Sequence, residues 1–244
     1  MLEENIWQIE EHTDIIILPE MFNTGFSMEA KNLSEPVNYK TFRWMNQMAK
    51  QKDAAVVGSY IVKESNKFYN RLYWVAPDGS FSYYDKSHLF RMSDEHQTFT
   101  QGKKRMICNF RGWKIMPLIC YDLRFPLWSR NRYDKATDTF DYDLLIYVAN
   151  WPKPRTEVWD TLLNARSLEN QCYTIGVNRI GSDGVGIDYD GNSAVYDYKG
   201  QALNDLLPTN LLSKLHRFET SKNLQAFERN FLFILDWDGF RSFL

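Results

Sequence analysis

Three short apolar runs constrain this 244-residue chain more than anything else in it: "DIIILPE", "KIMPLIC" and "LLIYVAN". Each is too short for a buried helix and reads as a strand covered on both faces, the first broken by Pro19. Amphipathic stretches lie between them. "TFRWMNQMAKQKD" sets Phe42, Met45, Met48 and Ala49 at helical spacing, and "TEVWDTLLNARSLENQ" is a second helix of that kind. "LEENIWQIEEH" gathers Leu2, Ile6 and Ile9 on one face, so the chain begins inside or just before a helix. Other connections are tight turns. "FYNRLYWVAPDGSFSYYDK" is two strands joined by Pro77-Asp78-Gly79, and "GNSAVYDYKGQAL" is a hairpin turning at Lys199-Gly200. "AAVVGSYIV" and "CYTIGVNRI" also read as strands, while helices are expected from Pro126 and within "LLSKLHRFETSKNLQAFERN". Hairpins mixed with strand–helix units predict a layered α/β fold with mixed sheets. With no linker or repeat in view, one domain spanning 1–244 is expected.

Composition removes several function classes. The 29 basic and 31 acidic residues offer no electrostatic case for nucleic acid or an anionic membrane. Three cysteines without close pairing point to a reducing compartment. No apolar run approaches membrane-spanning length, and the first residues are too charged for a signal peptide, so a cytoplasmic protein is expected. No His/Cys cluster has zinc spacing. "GSDGVGIDYDG" fails as a dinucleotide loop because Tyr189 stands where the third glycine belongs, and "DYDG" lacks the remaining calcium ligands.

The three apolar runs end in Glu20, Cys120 and Asn150, and strand C-terminal ends are where α/β folds gather their chemistry. Taken singly, each candidate has a plain reading. Cys120 is a packed thiol, Glu20 an ion-pair partner, and Lys86 in "YYDKSHLF" a surface lysine. Their chemical reading is a nucleophile, a base and a fixed positive charge. A carboxylate can serve as base where burial raises its pKa, and none of the four histidines stands in a recognised cysteine-protease context.

The segments "LPEMFNTGF", "YDKSHLF" and "LICYDLRFP", in that order, resemble the Glu-Lys-Cys motifs of the nitrilase superfamily, the carbon–nitrogen hydrolases. "RMSDEHQTFTQG" is similar to the segment that carries that family's second glutamate, here Glu95. "VANWPKPRTEVWDTLLNARSLENQCYTIGVNRIGSDG" resembles the ω-amidase subgroup, which hydrolyses the side-chain amides of 2-oxoglutaramate and 2-oxosuccinamate. The resemblance runs from about Asp14 to about Lys199. It implies a four-layer α-β-β-α sandwich, a homodimer, a small-molecule amide substrate, and no metal or organic cofactor. It also implies that Cys120 attacks, Glu20 moves protons, Lys86 holds the oxyanion and Glu95 orients Lys86 or the substrate.

A substrate of that kind carries a carboxylate, for which Arg155 is the first candidate and Arg124 the second. Arg124 is read by preference as structural, pairing with an acidic group below the pocket. Phe26, Tyr121 and Trp151 are candidate walls. An N-carbamoyl amino acid is the alternative substrate, and a non-catalytic binding protein the alternative of another class. Nitriles fit less well, because "CYD" replaces the "CWE" of true nitrilases. One departure stands out. The family opens with a strand before the first helix, and no equivalent precedes "LEENIWQIEEH", so unpaired backbone is expected beside "DIIILPE".

Overall fold

The computed structural model describes residues 2–9 and 12–203, and the backbone of 215–218 and 229–233. Two sheets carry the fold. The first has seven strands: β1 (Ile15–Ile17), β2 (Ala55–Glu64), β3 (Lys67–Val75), β4 (Phe81–Asp85), the short Glu35–Pro36 beside β2, and two more described below. The second has five: β5 (Cys108–Phe110), β6 (Trp113–Ile119), β7 (Leu144–Ala149), β8 (Tyr173–Asn178) and β9 (Ala194–Tyr196), in spatial order β9-β8-β7-β6-β5. β6, β7 and β8 run parallel, so their C-terminal ends share one edge, while the β2-β3-β4 meander is antiparallel.

Strand alternation distributes the core. Ile15 and Ile17 join the cluster shared by both sheets, with Leu118, Ile146 and Val148, whereas Ile16 packs with Ile6, Phe42, Met45 and Met48. That second cluster lies under helices α1 (Leu2–Trp7) and α2 (Lys40–Lys52). Burying one such side chain fully stabilises by about 1.5–3 kcal/mol, enough to hold a three-residue strand in the centre of a sheet. Helix α3 (Thr156–Asn170) covers β8 at Gly176, where an added Cβ would sit 2.3 Å from Leu163 Cδ1. The layers are therefore α-β-β-α.

Two expectations are corrected, and two are met in a shortened form. The edge of β1 is not left unpaired: β11 (Arg229–Phe233) lies parallel to it, pairing Ile15 with Phe231 and Ile17 with Phe233, and β10 (Leu215–Phe218) pairs antiparallel with β11. β10 lies within the stretch read as helical, and β11 begins at the end of that stretch. A free sheet edge offers backbone partners that override local helix propensity. The rest of that stretch lies outside the described residues. The helix from Pro126 is a single turn, Pro126–Ser129, preceded by a 3-10 turn over Cys120–Arg124. The hairpin after β9 closes through one bridge, Tyr196 to Ala202, because Asp197 Oδ1 accepts from the Lys199 and Gln201 N–H groups and folds the arm into a capped turn.

Gly102 marks a tight approach beside the end of β4. Its N–H donates to the Lys86 carbonyl at 2.9 Å, and a Cβ there would fall 1.9 Å from the Asp85 carbonyl oxygen. Backbone cannot yield as a side-chain tip can. Gly102→Ala should therefore cost about 1–3 kcal/mol in denaturant unfolding, with a visibly lower Tm. An unchanged midpoint would show that the segment relaxes freely.

Candidate active site

The site begins with a kink. β6 ends at Ile119 in extended conformation, and Cys120 then takes φ = 42°, a left-handed conformation costly for a residue with a Cβ. Asp122, fully buried, holds the kink. Its Oδ2 accepts from the Ile119 N–H (3.1 Å) and the Tyr84 hydroxyl (2.8 Å), and its Oδ1 accepts from the His88 N–H (2.9 Å) with His88 Nδ1 at 2.7 Å. From α3, Arg166 Nη2 donates to the Leu123 carbonyl at 2.6 Å. The cysteine is thus presented by a turn clamped from both sheets and a helix.

Behind it lies a buried ionic cluster. Lys86 Nζ stands 2.8 Å from Glu20 Oε1 and 3.0 Å from Glu95 Oε2, and all three residues are at most 1% exposed. Asn70 Nδ2, from β3, donates to Glu20 Oε1 (2.8 Å) and Glu95 Oε1 (3.3 Å). The Phe90 N–H holds Glu95 Oε2 at 2.6 Å. Asn150, just past β7, fastens Glu20 twice: its N–H donates to Oε2 (2.9 Å) and its Nδ2 to the Glu20 carbonyl (2.7 Å). The three strand ends Glu20, Cys120 and Asn150 therefore meet, as the apolar runs foreshadowed.

Charge settles the resting state. Burial favours loss of the Lys86 proton, but Glu20 and Glu95 outweigh it and raise the pKa, so the ammonium persists. Burial also raises the pKa of Glu95, with Glu20 adding to the shift and Lys86 opposing it. Cys120 is pushed well above the ordinary thiol value of 9.0, by burial first and by Glu20 second, against the pull of Lys86. At neutral pH Cys120 therefore rests as a thiol, with Glu20 beside it.

A cavity of about 680 Å³ opens onto Cys120, Lys86 and Asn150. Phe26, Tyr121 and Trp151 line it, with Phe26 placing its ring 5.5 Å from Lys86 Nζ and Trp151 only 4% exposed. Arg155 also lines it, its guanidinium 5.2 Å from the Phe90 ring, while Trp151 Nε1 donates to the Arg155 carbonyl at 2.8 Å. Arg124 corrects the structural reading. Among the described residues no carboxylate pairs with it; it is exposed, lines the cavity and lies 5.3 Å over the Trp151 ring. The turn at Cys120–Arg124 swings this side chain outward instead of beneath the floor. Sequence reasoning missed Asn70, His88 and Asp122. A single buried amide or histidine carries no periodic signal, although Asp122 stood inside the "CYD" already singled out.

Comparisons with known proteins identify the family. The family model described as carbon-nitrogen hydrolase matches residues 3–211. The chain belongs to the carbon–nitrogen hydrolase family. Omega-amidase YafV of Escherichia coli K12 is 47% identical over 190 residues, which cover 78% of this chain and 71% of the relative. The 2-oxoglutaramate amidase of Bacillus subtilis is 33% identical over 196 residues, covering 79% and 73%. Among solved structures, the carbon–nitrogen hydrolase XC1258 of Xanthomonas campestris, which carries an arsenic adduct in its active site, superposes with a TM-score of 0.80 at 42% identity, covering 83% of this chain and 77% of that one. Within the family this chain is ω-amidase-like, and its fold is the α-β-β-α sandwich of the nitrilase type. Among the described residues no helix is long and apolar enough to cross a membrane, and no group of three or more His, Cys, Asp or Glu side chains is placed to hold a metal.

The raised Cys120 pKa has a measurable signature. Alkylation of Cys120 by iodoacetamide, read by peptide mass spectrometry, should keep accelerating with pH beyond 9.0, where an ordinary thiol levels off. Levelling near 9.0 would mean that burial and Glu20 leave the thiol unshifted, and levelling below neutral pH that Lys86 dominates and the resting group is a thiolate.

Proposed function

We propose that this carbon–nitrogen hydrolase cleaves the ω-amide of a 2-oxo dicarboxylate monoamide, 2-oxoglutaramate or 2-oxosuccinamate, through a Cys120 thioester. The observation that carries the reading is the buried Lys86 ammonium held between two carboxylates beside Cys120, at the floor of a cavity that also contains two arginines without carboxylate partners among the described residues. The names of the relatives support the substrate class.

The chemistry runs from these groups. Glu20 takes the thiol proton as sulfur attacks the amide carbon, which removes the penalty of holding a buried thiolate. The negative charge moves to the carbonyl oxygen, where Lys86 Nζ is the fixed cation. The Tyr121 N–H, in the first turn after the kink, has no acceptor within its own helix and is the second donor. Glu20 returns its proton to the amide nitrogen and ammonia leaves. A water, deprotonated by Glu20, then cleaves the thioester and frees the second carboxylate. Glu95 keeps Lys86 aimed and its charge balanced throughout, since a lone buried ammonium would be costly. Arg155 takes the substrate's own carboxylate at the far side, with Arg124 beside it.

Ammonia release from 2-oxoglutaramate, 2-oxosuccinamate, glutamine and an N-carbamoyl amino acid tests this directly, with Cys120→Ala as control. The oxo-acid amides should be turned over and the Ala variant should be inert. Activity surviving in that variant would sink the mechanism, and turnover of the carbamoyl compound alone would sink the substrate. Arg155→Ala should raise KM for the oxo acids about tenfold or more while sparing an uncharged amide such as propionamide. Equal effects on both would place the carboxylate elsewhere.

A further inference from the structure

Asn150 has an unused acceptor. The residue is 6% exposed and lines the cavity beside Cys120, yet its Oδ1 has no hydrogen-bond partner among the described residues. Which end of the amide is which follows from chemistry. The atom 2.7 Å from the Glu20 carbonyl oxygen must donate, and the same atom also lies 3.5 Å from Glu20 Oε2, so it is Nδ2. Rotating the amide by half a turn would set two oxygens against each other. Oδ1 is therefore fixed as an acceptor.

A buried acceptor left without a partner costs about 1–3 kcal/mol and is rare without a reason. Asn70 supplies the contrast. Its Oδ1 is also unpaired, but Asn70 does not line the cavity, so no ligand can reach it from there. Nor is the Asn150 backbone free to drift away. The next residue is pinned on both sides by Asn178, whose Oδ1 accepts from the Trp151 N–H at 2.7 Å and whose Nδ2 donates to the Trp151 carbonyl at 3.0 Å.

We propose that Asn150 Oδ1 accepts an N–H of the scissile amide and so selects –NH₂ over –OR at the reacting carbon. This rests on the amide reading above and deepens it. One N–H held by Oδ1 fixes rotation about the C–N bond and leaves the nitrogen lone pair facing Glu20, which Asn150 itself positions. As the tetrahedral adduct collapses, the C–N bond breaks, its electron pair stays on nitrogen, and nitrogen takes the proton that Glu20 removed from the thiol. Ammonia departs with its hydrogens accounted for. An ester of the same shape puts an oxygen lone pair against Oδ1 and leaves the acceptor unsatisfied, the kind of mismatch that polar sites reject strongly.

The test uses Cys120→Ala protein, in which no bond breaks and the acid role of Glu20 drops out. Calorimetric affinities are compared for 2-oxosuccinamate and for the analogue bearing a methyl ester in place of its amide. The amide should bind at least about tenfold more tightly, and Asn150→Ala should erase most of that preference by weakening the amide alone. Asn178→Ala, which loosens the same loop without touching the acceptor, should weaken both ligands by the same factor. Equal losses for amide and ester in the Asn150 variant overturn the inference, as does an ester bound as well as the amide by Cys120→Ala protein, a measurement that needs no change at Asn150. If unsubstituted protein releases ammonia from no amide, the amide reading fails and takes this inference with it. If ammonia is released and the preference is absent, only the role of Asn150 fails.

Discussion

The Lys86 ammonium, buried between Glu20 and Glu95, is the interaction on which the rest of the molecule depends. One cation and two carboxylates without water are tolerable only when every member is held, because loss of one partner strands the charge of another. Asn70, the Phe90 N–H and the Asn150 N–H supply that hold from three separate parts of the chain. The cluster leaves one excess negative charge beside the Cys120 thiol. Burial first, and the Glu20 charge second, keep the thiol protonated at rest, and under the proposed mechanism Glu20 is the base that removes its proton. Stability and reactivity are thus two consequences of one charge arrangement.

Holding Cys120 is a second, separable task. A positive φ at Cys120 aims the sulfur into the cavity at a conformational cost. Asp122 offsets it with hydrogen bonds to Ile119, Tyr84 and the backbone N–H and ring Nδ1 of His88, and His88 is in turn stacked on Phe125 with ring centres 3.6 Å apart. Asp122 belongs to the turn it stabilises, so the kink and its clamp form together. Strain at Cys120 can persist only because the surrounding partners over-determine it.

Much of this was legible in the order of residues. "DIIILPE", "KIMPLIC" and "LLIYVAN" announce buried strands, and the polar residue ending each run marks where chemistry can collect. Other features had no local signal. Asn70 is one amide inside an otherwise ordinary strand, and His88 one histidine after a lysine; each acquires meaning from a carboxylate 25 or more residues away along the chain. Arg124 misled for a related reason. The pattern "YDLRFP" marks a turn after the cysteine but does not say which way the turn throws its arginine. The edge of β1 misled too, since its partner β11 comes from more than 200 residues downstream.

By itself, then, the sequence determined the central strands, the layered α/β class and the candidate residues Glu20, Lys86, Glu95 and Cys120, because hydrophobic period and ordered motifs are local properties of the chain. The tertiary structure decided which donors hold each carboxylate, where the two arginines point, and that Asn150 carries a buried acceptor, unpaired among the described residues, beside Cys120. Those are matters of distance and burial. They exist only after the sheets have packed and water has left.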